Sequence, residues 1–306
     1  MAGLSEERLA PCNGIELAYQ EVGDPDGDPL LLVMGLGTQM LGWDEELCEL
    51  LAERGFRVVR FDNRDIGHST MLESAGVPRR ADLFLGRRST APYLLSDMAT
   101  DAIGLMDHLG IESAHVVGAS MGGMIAQTLA IEHADRVRSL VSIMSTTGSR
   151  WVGTPTLKAF GIMLAEAPRG RDAYVERIVK TFRVVGSPSY PMDAPRFREM
   201  AGRMYDRSHN PKGVLRQMHA ITASGDRTPA LRKLRLPVTV IHGTRDPLVR
   251  PSGGRATARA IPNARLRMVE GMGHDLPRAL WPIFIDEIAD NAARAEDRRA
   301  PARQAA

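Results

Sequence analysis

The sequence predicts an α/β fold, a doubly wound and mostly parallel sheet with an inserted helical cap. Three observations predict it. Short apolar runs bounded by glycine alternate with stretches of helical period, the pattern of parallel strands joined by crossover helices. From about Ser149 to Thr228 the alternation stops, and helical segments broken by "SPSYPMDAP" and "HNPKG" take its place before it resumes. In "HVVGASMGGMIAQTLA" (His115 to Ala130), Ser120 stands between two glycines where an apolar run turns into a helix.

Each element has its own signal. "GIELAYQEVGD" alternates apolar and polar residues and ends in the turn-rich "GDPDGDP", a hairpin-like start. "LLLVMG" (Leu30 to Gly35) is continuously apolar, as a strand buried on both faces must be. "DEELCELLAERG" sets Leu47, Leu50 and Leu51 on one helical face, with Gly55 as a stop. "FRVVRFD" reads as a strand, "LLSDMATDAIGLMDHLGI" as an amphipathic helix and "AHVVG" as a strand. "GGMIAQTLAIEHADRV" is a helix and "VRSLVSIMST" a strand. After the interruption come the strand "LPVTVIHG", the helix "SGGRATARAIP", the strand "ARLRMVEG" and a final helix from about Pro277. The expected division is a core of residues 1–148 and 229–296, a cap of 149–228, and a flexible tail of 297–306.

Composition narrows the function. Hydrophobic residues make up 43% and charged residues 25% of the 306, ordinary for a globular protein. Basic residues number 39 against 37 acidic, and no basic stripe is interleaved with aromatics, so nucleic acid is not an expected partner. Cys12 and Cys48 form no CxxC pair, which fits a reducing cytoplasm rather than a disulfide framework. The opening "MAGLSEERLAPCNG" has no apolar signal region, and no run is long enough for membrane insertion. No metal-ligand spacing occurs, and neither metal nor cofactor is expected.

Chemistry concentrates on the strands' carboxyl ends, where open α/β sheets bind ligands. A strand that turns at once into a helix makes a tight elbow, which glycines at 118 and 122 accommodate, and the elbow presents the Ser120 hydroxyl to the cleft. A hydroxyl needs a base to become nucleophilic. Of eight histidines, His274 in "VEGMGHDLP" follows the last strand in a glycine-rich loop and is the favoured base; His242, at a strand end, is in reserve. The base needs an acid to fix its tautomer, and Asp246 in "VIHGTRDPLV" lies just past the preceding strand. The loop after "LVSIMST" offers no carboxylate before Glu166. The oxyanion donors expected are the N–H groups of Met121, the residue after the nucleophile, and Leu36, in the turn after "LLLVMG".

The blocks "VMGLG", "RFDNRDIGHS", "GASMGG", "GTRDPLV" and "GMGHDLP" together resemble the α/β-hydrolase fold family, and most of all its bacterial esterases and methylesterases of the aclacinomycin-methylesterase type. The resemblance spans about Ile15 to Ala289 and is weakest in the cap. It implies the same roles: Ser120 as nucleophile, Asp246 as acid, His274 as base, and Leu36 and Met121 as oxyanion donors. Met34-Gly35 replaces the His-Gly of many relatives, a form the named esterases share. Asp62, Arg64 and His68 of "DNRDIGHS" read as scaffold.

The expected function is a cytoplasmic serine carboxylester hydrolase acting on small to medium uncharged esters through an acyl-enzyme, with a small-molecule ester as its partner. The alternatives are a thioesterase, lactonase or C–C bond hydrolase on the same triad, or a slow-turnover ligand receptor. The cap's apolar residues, among them Leu157, Phe160 and Met163, and later Met200, Met204 and Met218, are expected partly to hold it down and partly to line a pocket. Its arginines (Arg169, Arg171, Arg196, Arg198 and Arg203) are expected on the outer face.

Overall fold

The computed structural model describes residues 3–165 and 167–304. Eight strands among them form one sheet: β1 (Arg8–Cys12), β2 (Ile15–Val22), β3 (Asp28–Val33), β4 (Phe56–Phe61), β5 (Ala114–Ala119), β6 (Val137–Ile143), β7 (Val238–Gly243) and β8 (Arg265–Val269). Their order is β1-β2-β4-β3-β5-β6-β7-β8. β1 and β2 pair antiparallel, as do β2 and β4, and every pair from β4 across to β8 is parallel. β1 is a strand the apolar pattern does not pick out. It contains Pro11 and lies at the sheet edge, where a missing N–H is tolerated. Asn13 and Gly14, with φ of 50° and 76°, turn the chain in two residues so that Cys12 pairs with Ile15.

Helices cover both faces. Leu31 and Val33 of β3 pack into the core under α3 (Leu95–His108) and α4 (Met121–Glu132). Leu30 and Leu32, one residue out of phase, pack into the core under α1 (Glu45–Ala52) and α11 (Trp281–Gln304). A strand buried on both faces therefore reads as an unbroken apolar run. α2 (Arg80–Leu85) lies in the connection after β4, and α10 (Ser252–Ala260) joins β7 to β8. α11 continues through Gln304, past the start of the expected tail at 297, because "AARAEDRRA" is rich in helix formers; Ala305 and Ala306 lie outside the described residues. From β3 the chain moves outward to β4 and then crosses back to β5 on the other side of β3. Val33 pairs with Gly118, so the carboxyl ends of β3 and β5 adjoin at this reversal, the kind of place where open α/β sheets bind ligands.

Between β6 and β7 lie α5 (Leu157–Leu164), α6 (Arg171–Val185), α7 (Ala194–Arg207), α8 (Pro211–Ser224) and the short α9 (Thr228–Leu231). The breaks in the sequence pattern are helix starts. Asp193 and Asn210 each accept a hydrogen bond from the N–H three residues on, and Pro195 and Pro211 occupy the first turns of α7 and α8. Arg171, Arg196 and Arg203 pair with Asp206, Asp44 and Glu45 on the outer side. Leu157 and Trp151 are also exposed, at 92% and 85%, so this end of the segment does not turn all its apolar residues inward.

Two other arginines point in. Arg207 meets Asp62 at 2.6 Å, and Arg216 meets Asp65 at 2.6 Å with both side chains buried. Asp65 also accepts from Tyr93 Oη and Leu72 N, both at 2.8 Å. Burial works against its charge, but the hydrogen bonds from Arg216, Leu72 and Tyr93 prevail and hold its carboxyl below the usual aspartate range. Arg216→Met leaves Asp65 buried without its cation and should lower stability by roughly 3–5 kcal/mol in urea unfolding. A carboxyl depressed in the folded state stabilises above its unfolded pKa, and that contribution is lost as pH falls through the lower folded value. In the variant, without Arg216, burial raises the Asp65 carboxyl, so the gap between wild type and variant should be full above that raised pKa and close as pH falls toward the depressed wild-type value.

Candidate active site

Ser120 stands between β5 and α4, at the N-cap of the helix, with φ 56° and ψ −118°, a conformation that non-glycine residues adopt only when their surroundings enforce it. Its N–H donates to Ile143 O at 2.9 Å. Its carbonyl accepts from Gly123 N at 3.0 Å, Met124 N at 3.2 Å and Ser145 Oγ at 2.8 Å. The flanking glycines are steric requirements. A Cβ on Gly118 would lie 2.2 Å from Gly122 O, and one on Gly122 would lie 2.0 Å from Val33 O.

The structure brings the three predicted side chains together. His274 Nε2 lies 2.9 Å from Ser120 Oγ, and His274 Nδ1 lies 2.7 Å from Asp246 Oδ2. Asp246 follows β7 and His274 follows β8, so all three come together from strand carboxyl ends. Asp246 is buried, and its other oxygen accepts from Leu248 N at 2.8 Å and Val249 N at 2.9 Å. A carboxylate facing Nδ1 requires the proton there, which leaves the Nε2 lone pair for the serine hydroxyl.

Leu36 lies in the turn after β3, beside the nucleophile. A Cβ on the preceding residue, Gly35, would lie 3.2 Å from Ser120 Cβ and 3.7 Å from its Oγ. Met121 is the first residue of α4, where N–H groups lack an intrahelical acceptor. Neither the Leu36 nor the Met121 N–H donates to an acceptor among the described residues.

The reserve histidine has a different place. His242 Nε2 is 2.7 Å from Val249 O and 3.5 Å from Asp246 Oδ2, the oxygen that also faces His274. A carbonyl only accepts, so Nε2 carries the proton, and burial pushes the imidazole's pKa down. Asp62 accepts from Met40 N and His68 N, and Arg64 pairs with Asp101 at 2.6 Å, the scaffold role expected of that block. Glu166 lies outside the described residues. Among the described residues no group of three His, Cys, Asp or Glu side chains could hold a metal ion, and no helix is long and apolar enough to cross a membrane.

Several supporting residues escape the sequence pattern. Ser145 holds the elbow carbonyl. Ser187, just past α6, accepts from Gly273 N at 2.8 Å and donates to Asp275, whose carboxyl burial pushes up. His274 N donates to Val185 O at 2.7 Å. The end of α6 thus grips the histidine loop from both sides of His274. "GHD" marks Asp275 only by adjacency, and nothing local marks Ser187.

The chain is 28% identical over 294 residues to rhodomycin D methylesterase DauP of Streptomyces sp. (strain C5), across 89% of this chain and 93% of that protein. It is 25% identical over 257 residues to 3-oxoadipate enol-lactonase 2 of Acinetobacter baylyi, across 84% and 85%. The solved enol-lactonase from Burkholderia xenovorans LB400 superposes with a TM-score of 0.72 at 26% identity, covering 94% of this chain and all of that one. The family profile described as alpha/beta hydrolase fold matches residues 28–277. Matched over most of its length in sequence and nearly all of it in structure, the chain belongs to the α/β hydrolase fold family.

Proposed function

We propose that this protein is a serine carboxylester hydrolase working through an acyl-enzyme, with Ser120 as nucleophile, His274 as base and Asp246 as acid. The observation that carries this reading is the hydrogen-bonded chain from Ser120 Oγ to His274 Nε2 at 2.9 Å and from His274 Nδ1 to Asp246 Oδ2 at 2.7 Å. Ser120 Oγ attacks the ester carbonyl carbon and gives its proton to His274 Nε2. Asp246 stabilises the resulting imidazolium. The negative oxygen of the tetrahedral adduct accepts from the Leu36 and Met121 N–H groups. The adduct collapses, and the alcohol leaves with the proton from His274. Water repeats the sequence on the acyl-enzyme and releases the acid. No step calls on a cofactor.

The likeness to a rhodomycin D methylesterase supports esters of small alcohols as substrates. Residues 149–228 serve as a cap over the core formed by 1–148 and 229–296, and a covered cleft favours small to medium uncharged acyl groups. A second reading, lactone hydrolysis on the same residues, is favoured by the enol-lactonase at TM-score 0.72.

A substrate panel tests these readings: p-nitrophenyl esters from acetate to palmitate, methyl esters of ring acids, lactones, and long-chain lipid emulsions. Soluble esters of about butyrate size should be hydrolysed fastest. Faster turnover of interfacial long-chain lipid would overturn the capped-cleft reading. Lactones outpacing every open-chain ester would move the assignment to the second reading. A stoichiometric burst without turnover would make the protein a receptor.

A further inference from the structure

We infer that Gln217, on α8, is a positioning residue that aims the oxyanion donor at Leu36; this rests on the role proposed above for the Leu36 N–H. Gln217 is fully buried and both ends of its amide are used. Its Oε1 accepts from Gly37 N at 2.9 Å, and its Nε2 donates to Arg64 O at 2.8 Å. The amide, 180 positions from Gly37 in sequence, therefore ties the residue after Leu36 to the loop after β4.

The rest of the loop is tied to the same helical segment. Gly37 has φ 65°, and the space beside it is filled by Val214, one turn before Gln217, whose Cγ2 is 3.1 Å from where a Cβ would stand. Gln39 is also buried. Its Nε2 donates to Met204 O at 2.7 Å and Ser208 O at 2.9 Å, and its Oε1 accepts from Arg207 Nη1 at 2.9 Å. On the near side, Thr38 N–H returns to Gly35 O at 3.3 Å.

The physical consequence follows from how an oxyanion hole works. Its donors help only if they already point at the oxygen when charge develops. A turn with a positive-φ glycine has many conformations of similar energy when free. Fixing the Gly37 N–H removes most of that freedom directly beside Leu36. Without the Gln217 acceptor, the half-buried Gly37 N–H loses its partner, and the turn gains by rotating to find another. The donor at Leu36 is then misaimed while the Ser120–His274–Asp246 chain is untouched.

The test uses the full-length protein with Gln217→Met, Gln217→Asn and Gln217→Glu. Met removes the acceptor. Asn keeps the amide but falls one methylene short. Glu, kept neutral by the buried site, keeps an acceptor for the Gly37 N–H and an O–H donor for Arg64 O at full reach. Each is assayed on p-nitrophenyl butyrate and on the matched thionoester, whose sulfur gains little from N–H donors. Met and Asn should lower kcat on the ester roughly tenfold, less than the loss of a whole donor. The ester-to-thionoester rate ratio should fall with it, while KM moves by less than about twofold. Glu should restore most of the ratio. Binding of butylboronic acid, which forms a tetrahedral adduct on serine, should weaken in step with kcat. The inference is overturned if Asn leaves the ratio at its wild-type value, or if Glu is as impaired as Asn. If Gln217→Met does not fold, the Asn and Glu pair decides alone. Ser120→Ala separates the two levels. If Ser120→Ala stays active, the proposed function has failed. If it is inactive and the Gln217 variants keep the wild-type ratio, only this inference has failed.

Discussion

Ser120→Ala is expected to lower kcat for ester hydrolysis by roughly 10⁶-fold, the scale for losing a triad nucleophile. The fold should survive, because the elbow is held by backbone contacts and by Ser145 rather than by the Ser120 hydroxyl. Alanine must take the same φ of 56°, so the strain is not relieved and thermal unfolding should move little. Steady-state rates on purified protein read the first effect, and calorimetry the second. A fluorophosphonate should label wild type once per chain and leave the variant unlabelled. Retention of even a tenth of the rate would remove Ser120 from the mechanism. His274→Ala should be as damaging, and the double variant no worse than either, because the side chains act as a unit.

Asp246→Asn should lower kcat by roughly 10⁴-fold, through the tautomer of His274. The argument comes from what surrounds the acid. Its Oδ1 accepts from two N–H groups, Leu248 and Val249. An asparagine must keep its carbonyl oxygen there, since an NH2 would face two donors. Its NH2 then takes the place of Oδ2, 2.7 Å from His274 Nδ1. Two donors cannot share that contact, so the ring proton moves to Nε2 and points at Ser120, which can no longer deliver its own. Nitrogen-15 shifts of His274 should show Nδ1–H in wild type and Nε2–H in the variant. An unchanged tautomer with an unchanged rate would overturn the role of Asp246.

The parts legible in the sequence are those that local rules decide. β3 must be apolar throughout because both its faces are buried, so "LLLVMG" announces itself. The elbow leaves no room for a side chain at 118 or 122, so two glycines bracket Ser120. Asp246 and His274 follow recognisable strands within a few residues. What the pattern misses depends on partners distant in sequence. Gln217 acts on Gly37, and Ser187 acts on Gly273 and Asp275; neither contact leaves a trace in the residues around it. Arg207 and Arg216 resemble the outward-facing arginines of their helices until Asp62 and Asp65 are seen beneath them. β1 is short and carries Pro11, so hydrophobic alternation passes over it, although the Asn13-Gly14 turn is a hairpin signal in its own right.

The uneven anchoring of the segment between β6 and β7 sets the terms for redesign. α7 and α8 are fastened through Asp62–Arg207, Asp65–Arg216, Gln39 and Gln217. Residues 149–170 make no salt bridge among the described residues, and Leu157 and Trp151 there face solvent. Recombination between relatives should therefore more readily tolerate crossovers that exchange only the α5 stretch, because its ties to the core are hydrogen bonds to one neighbouring stretch, Thr156 N to Pro247 O, Gly153 N to Ser252 Oγ and Arg250 to Thr154 O. Crossovers that exchange α7 and α8 must carry the β4 loop and residues 36–39 along as one inherited block. A chimera library split at these two boundaries would yield folded members in the first class far more often than in the second. New specificities are then most readily sought on α5, whose replacement leaves the anchors of α7 and α8 in place.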